Sequence, residues 1–152
     1  MSENYYPPIG FYFDLSISGE LEKDTGSFLE VSGISAKMEY QQIKERGENR
    51  FVYKVPGRVS YDDLVLKRGL MRKDSAIAKW CIETLNDELN GSIEPKSLEV
   101  KLIDANGDNS NPIIIWRFIN AYPINWSLSS LDSMNDEIVI ESLAFTYSYF
   151  SL

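Results

Sequence analysis

The chain has 152 residues, 43% hydrophobic and 25% charged, with net charge −8. This is the size and composition of one soluble domain, able to bury roughly 70% of its unfolded surface without a staple. It contains no histidine and a single cysteine, Cys81, which excludes Ser-His-Asp and Cys-His catalysis, imidazole metal ligation, structural zinc and an intrachain disulfide.

The first predicted element is Phe11 to Ile17, where Phe11, Phe13, Leu15 and Ile17 alternate with Tyr12, Asp14 and Ser16, as a half-buried strand requires. Ser18 to Gly26 is turn-like, and SFLEVSGI supplies a second strand ending near Gly33, expected to pair with the first as a hairpin. Ser35 to Arg50 is mostly polar and charged, with sparse apolar positions, so residues 35–54 read as an extended, exposed hairpin or loop closed near Gly47 to Asn49, with RFVYKV returning as a strand. Pro56-Gly57 reads as a turn between RFVYKV and the strand YDDLVLKR.

Residues 74–90 form the one predicted helix, capped by Asp74 or Ser75 and stopped at Asn90-Gly91. At 100° per residue, Ile77, Ala78, Cys81, Ile82, Leu85 and Leu89 share an arc, so Cys81 reads as small core filler. Trp80 falls outside that arc and either folds over the helix shoulder or meets another chain. SLEVKLI alternates again, and Asp104 to Asp108 turns the chain into IIIWRF. That run is apolar on both faces and predicts a strand covered on both sides, and within Trp116 to Trp126 it stands beside a Pro-containing turn at Pro123. In EIVIESLAFTYSYF the apolar parity changes, from Ile138 and Ile140 to Leu143, Phe145 and Tyr147, which predicts a bulge near Glu141-Ser142.

No catalytic, cofactor or metal site emerges. Asp104, Asn106 and Asp108 copy the start of a calcium loop, but Asn109 replaces its glycine and Ile115 its final glutamate, so a hairpin turn is the better reading. The pairs Asp62-Asp63 and Asp87-Glu88 point apart and read as solvated surface. Arg50 to Lys54 interleaves basic and aromatic residues, yet the acidic total disfavours nucleic acid as its partner.

Charge is unevenly placed. From Lys37 to Lys73 there are ten basic and five acidic residues, a local net of +5 that leaves −13 elsewhere. Either a solvated basic loop balances an acidic body, or the positive surface of one subunit meets the negative surface of another, head to tail. On the second reading Lys44, Arg46, Arg50, Lys54, Arg58 and Trp80 are the candidate interface residues. MSENYYPP lacks a signal-peptide pattern, and no apolar run approaches the roughly 20 residues of a membrane span. The expectation is a chain made in the cytosol that does not itself insert in a membrane.

Taken in order, Val31-Ser32-Gly33, Pro56-Gly57, Leu66-Lys67-Arg68-Gly69, Trp80, Trp116-Arg117-Phe118, Asn120-Ala121-Tyr122-Pro123, Trp126 and Asn135 with Glu137 and Glu141 resemble the inner-tube proteins of contractile phage tails and contractile injection systems. The resemblance runs from about Phe11 to Tyr149. It implies a single domain, mainly β with one α-helix, an antiparallel β-barrel or sandwich flanked by that helix. Six copies would join edge to edge as a ring, rings would stack into a tube, and the Ser35 to Lys54 hairpin would reach a neighbouring subunit or ring. The implied partners are further copies of the chain, a sheath protein, a baseplate hub or spike, and a cargo of DNA or protein effector. The implied setting is a phage tail or tail-like particle, which can be released from the cell. The longer Glu20 to Ser27 turn and the aromatic N-terminus fit a tube-initiating ring as well as the repeated subunit. A monomeric ligand-binding β-barrel is the rival outside the family, and an enzyme is not expected.

Overall fold

Apolar alternation builds the first strand in the computed structural model, which describes residues 11–17, 26–69, 76–86, 93–104, 112–131, 134 and 139–152. Strand β1 (Phe11–Ile17) buries Leu15 and Ile17. The predicted second strand forms but divides at Leu29. Its first half, β2 (Gly26–Phe28), pairs with β1, and its second half, β3 (Glu30–Ser32), pairs with β6 (Leu64–Gly69).

The hairpin strands β4 (Ala36–Ile43) and β5 (Tyr53–Tyr61) form a separate two-stranded sheet. Helix α1 (Ala76–Asn86) precedes β7 (Lys96–Asp104), the long β8 (Ile114–Leu128), β9 (Ile140–Thr146) and β10 (Tyr149–Ser151). The main sheet runs β2-β1-β7-β8-β9-β6-β3, with β10 also on β8, and its pairings are antiparallel. Its two end strands, β2 and β3, are consecutive in the chain. The sheet therefore curls back on itself, and Leu29 N–H donates to the Lys67 carbonyl at 2.9 Å across the join.

Leu15, Phe28, Leu64, Leu66, Leu98, Val100, Phe118, Leu143 and Phe145 of the wall form one buried cluster with Ile77, Trp80 and Cys81 of the helix. Each such side chain, fully buried, contributes roughly 1.5–3 kcal/mol against exposure. Burial pushes the Cys81 thiol up to about 12, with the nearby Glu141 carboxylate adding to the effect, so the residue packs as an inert hydrophobe.

Four local readings are corrected. Pro56-Gly57 is no turn: both lie within β5, where the register slips between Met38–Val59 and Tyr40–Pro56, so the missing proline N–H falls at a bulge. The chain reverses instead at Asp62-Asp63, between β5 and β6. Tyr122-Pro123 is likewise inside β8, which bends twice, once near Asn120 (φ +54°) and once between Pro123 and Asn125. Asn tolerates that left-handed backbone better than other non-glycine residues do.

The bulge expected at Glu141-Ser142 is absent: β9 keeps one parity throughout, and the irregularity lies in β8, opposite Phe145 and Ala144. Its inward set is Glu141, Leu143 and Phe145, because Glu141 finds a buried cation. Ile138 lies outside the described residues. Finally, the apolar start of β8 is not covered on both faces, since Ile113 and Ile114 are exposed while Phe118 is buried. The helix caps and the Asp104 to Asp108 turn lie largely outside the described residues, although β7 and β8 pair as the turn requires.

Candidate assembly surface

The hairpin is built by β-favouring residues whose polarity gives no single inward face. No strand of the main sheet pairs with β4 or β5, and every residue from Ala36 to Ser60 except Glu48 is exposed. The seven steps from Ala36 to Ile43 cover about 24 Å at roughly 3.4 Å each, so the tip stands well away from the wall.

Its base is fixed by several contacts. Gly33 has φ +87°, and a Cβ there would lie 1.9 Å from the Asp63 carbonyl oxygen. Ser35 Oγ donates to Asp62 Oδ2 at 2.7 Å. The Tyr61 ring packs on Tyr147 and Phe150, with centroids 5.8 and 5.4 Å away. Burial, followed by the charges of Asp62 and Asp63, pushes the Tyr147 hydroxyl above its ordinary pKa.

Of the candidate interface residues, five sit on this hairpin. Arg50 is folded onto Glu48 at the tip, donating from Nε to Oε1 at 2.9 Å and from Nη2 to Oε2 at 3.1 Å, and these bonds hold the Glu48 carboxyl below its usual range. Lys54 Nζ lies 5.0 Å from the centroid of the Tyr40 ring. Lys44, Arg46 and Arg58 are exposed. The hairpin from Ala36 to Tyr61 holds six of the chain's 15 basic residues but only three of its 23 acidic ones, so it is a basic arm on an acidic body.

Trp80, the sixth, is not at the surface. It is 8% exposed and stacks on Phe145 at 5.7 Å, with Lys96 Nζ over its other side at 5.5 Å. The helix has rotated relative to the apolar arc: Ile77, Trp80 and Cys81 are buried, while Ile82 and Leu85 face outward. The large flat indole fills more of the gap over β9 than either aliphatic side chain could, and this overrides the simple arc.

What the sequence reading did not assemble is the apolar surface of the hairpin. Met38, Tyr40, Ile43, Phe51, Tyr53, Val55 and Val59 are all exposed by more than two fifths of their surface. In the sequence they stand as scattered apolar positions and as aromatics among basic residues, because polar and charged residues lie between them. A second feature is an open groove of about 570 Å³ at the end of β8 and β9, lined by Leu29, Lys67, Leu128 and Ile140 among serines. It is a furrow on the rim rather than a closed cavity inside the wall.

The fold is thus a curled sheet with a filled core and an apolar, charged arm held out from it. The model of the T4-like virus tail tube protein gp19 family matches residues 9–151, and the chain belongs to that family of tail tube proteins. Solved structures agree on the fold. A chain of the anti-feeding prophage baseplate superposes with TM-score 0.75 at 23% identity, over 99% of this chain and 96% of that one. A chain of the PVC extracellular contractile injection system sheath-tube complex, in the extended state, gives 0.75 at 19% identity over 97% and 92%. Hcp1 from Salmonella typhimurium gives 0.55 at 14% over 93% and 85%. No individually curated protein matches the chain by sequence.

Proposed function

We propose that the chain is the repeated subunit of an inner tube, closing into hexameric rings that stack as a conduit for cargo when a surrounding sheath contracts. The observation that carries this reading is the basic hairpin projecting from an acidic body, because such a pair of surfaces is complementary head to tail and not to itself. The partners are further copies of the chain, the sheath protein and a baseplate hub or spike, with DNA or a protein effector passing through the lumen. Synthesis is in the bacterial cytoplasm, and the finished particle is a phage tail or a released tail-like particle.

A second reading, a single ring that initiates or ends the tube, draws on the likeness to chains in a baseplate and in a tube-terminating cap. Negative-stain microscopy of the purified protein separates them: long tubes support the repeated subunit, and rings that never lengthen support the initiator or terminator. A rim groove of the kind described gives a ligand-binding barrel little support.

A further inference from the structure

The arm formed by β4 and β5 is joined to the wall by two short connections, Gly33 to Ser35 and Asp62-Asp63, and among the described residues no strand of the main sheet pairs with it. Its direction is therefore set at its base. A hydrogen bond between exposed groups, such as Ser35 to Asp62, exchanges readily with water and holds an angle weakly. The remaining contact is aromatic. Tyr61, which pairs with Ala36 at the foot of the arm, packs on Tyr147 and Phe150. Those two rings lie 6.3 Å from each other and 4.8 and 5.7 Å from Phe118.

The rings beneath Tyr61 are not equally secured. Phe118 is fully buried in the middle of the sheet, on a strand paired along both its sides. Phe150 belongs to β10, a strand of three residues that, among the described residues, pairs only with β8, along Arg117 to Ile119. Ser148 N–H extends that pairing by one bond, to the Ile119 carbonyl at 2.9 Å. A short strand held along one side opens at a lower free energy than a central strand does. The element that steadies the arm is thus itself lightly held.

We infer that β10 is a latch for the arm: seated on β8 it holds Phe150 against Tyr61 and the arm at one angle, and drawn off β8 it leaves the arm free to swing about its two connections. Phe150 is the positioning residue. The coupling runs both ways, since whatever fixes the arm holds β10 down by the same free energy. Tyr147 tunes the balance. Its hydroxyl oxygen is enclosed and makes no hydrogen bond among the described residues, and enclosing an unpaired hydroxyl disfavours the closed state. The latch lies within one subunit and operates whether or not copies assemble.

The test places a dye pair on the full chain through Lys44→Cys, near the tip, and Lys79→Cys, on the helix, both exposed positions. Cys81 stays unlabelled, being buried with its thiol pushed up to about 12. Single-molecule energy transfer at picomolar concentration, where each chain is alone, should give one narrow distance. Phe150→Ala should replace it with a broad distribution, whereas Tyr149→Ala, which removes a half-exposed ring from the same strand, should keep it narrow. Tyr61→Ala breaks the latch from the arm side and should broaden the distance too, so the test survives a Phe150→Ala chain that does not fold. Hydrogen exchange of the dilute, unassembled protein reads the reverse direction. Tyr61→Ala should speed exchange of the amides of residues 148–151 and leave β7 unchanged, and Tyr147→Phe should slow it. A broad distance in the parent, a narrow one in both Phe150→Ala and Tyr61→Ala, or broadening by Tyr149→Ala would overturn the latch. Exchange at residues 148–151 that ignores Tyr61→Ala, or quickens with Tyr147→Phe, would overturn it as well.

Discussion

Arg68 and Glu141 face each other across β6 and β9 as a buried ion pair, Arg68 Nε donating to Glu141 Oε2 at 3.0 Å, with the side chains 1% and 3% exposed. Trp126 of β8 donates its indole N–H to the other oxygen of Glu141 at 2.8 Å, and the guanidinium lies 4.9 Å from the centroid of Phe28 in β2. Four strands, including the two brought together where the sheet curls closed, thus meet on one pair of charges. Such a pair fixes register, because a one-residue slip of β9 would bury Ser142 against Arg68 and turn Glu141 outward.

Glu141→Ala should therefore be strongly destabilising, by about 3–5 kcal/mol, since it removes the carboxylate that neutralises Arg68 in the core. Replacing both together, with Arg68→Met and Glu141→Leu, should recover most of that loss. Urea unfolding of Arg68→Met, Glu141→Leu and the double variant checks the cycle; additive losses would show that the pair does not act as a unit.

Gly33 and Gly47 share φ +87° but not their surroundings. Gly33→Ala meets the Asp63 carbonyl as well as the backbone penalty, so it should cost more than the ~1–2 kcal/mol of a left-handed alanine alone. Gly47, with nothing within 4 Å of a built Cβ, should lose only that backbone term and accept asparagine almost without cost. Thermal unfolding of the two alanine variants side by side checks the difference.

Trp80→Ala should lower stability by about 3–5 kcal/mol, as truncation of a packed core aromatic does. Ile82→Ser and Leu85→Ser, on the outward side of the same helix, should stay within about 0.5 kcal/mol of the parent. Were Trp80 a contact for another chain and not a core residue, the ranking would be inverted, with Trp80→Ala folding normally.

Asp14 gives a pH dependence of known sign. Burial raises its carboxyl pKa above the ordinary 3.8, while Lys101 on the paired strand pulls it partly back. The folded chain then holds this proton more tightly than the unfolded chain. Its stabilising contribution is complete below about pH 3.8 and is lost as the pH rises through the raised value. Asp14→Asn removes that loss, so the stability of the variant relative to the parent should increase with pH across this window. A variant that instead becomes relatively weaker above it would mean that the attraction to Lys101 outweighs burial.

Much of the architecture was legible because it follows alternation: β1 and β7 stand where apolar spacing places them. The failures share a cause. Pro56, Asn120 and Pro123 look like chain breaks locally, yet each is absorbed as a bulge within a strand held by its neighbours on the ladder. Trp80 falls outside the apolar arc, which leaves it between the helix shoulder and another chain, and it turns inward because Phe145 rewards its burial; Glu141 is turned inward in the same way by Arg68. Of the assembly surface, the charge was legible and the apolar faces were not. Met38, Tyr40, Ile43 and Val59 are scattered in sequence and become two patches only when the β4–β5 register is known.

Native mass spectrometry of the purified protein at high concentration and low ionic strength bears most directly on the claim that this chain builds a tube. The account predicts a species of six times 17.4 kDa or multiples of it, weakening as salt screens the basic arm from the acidic body. A single species of 17.4 kDa under those conditions would contradict it.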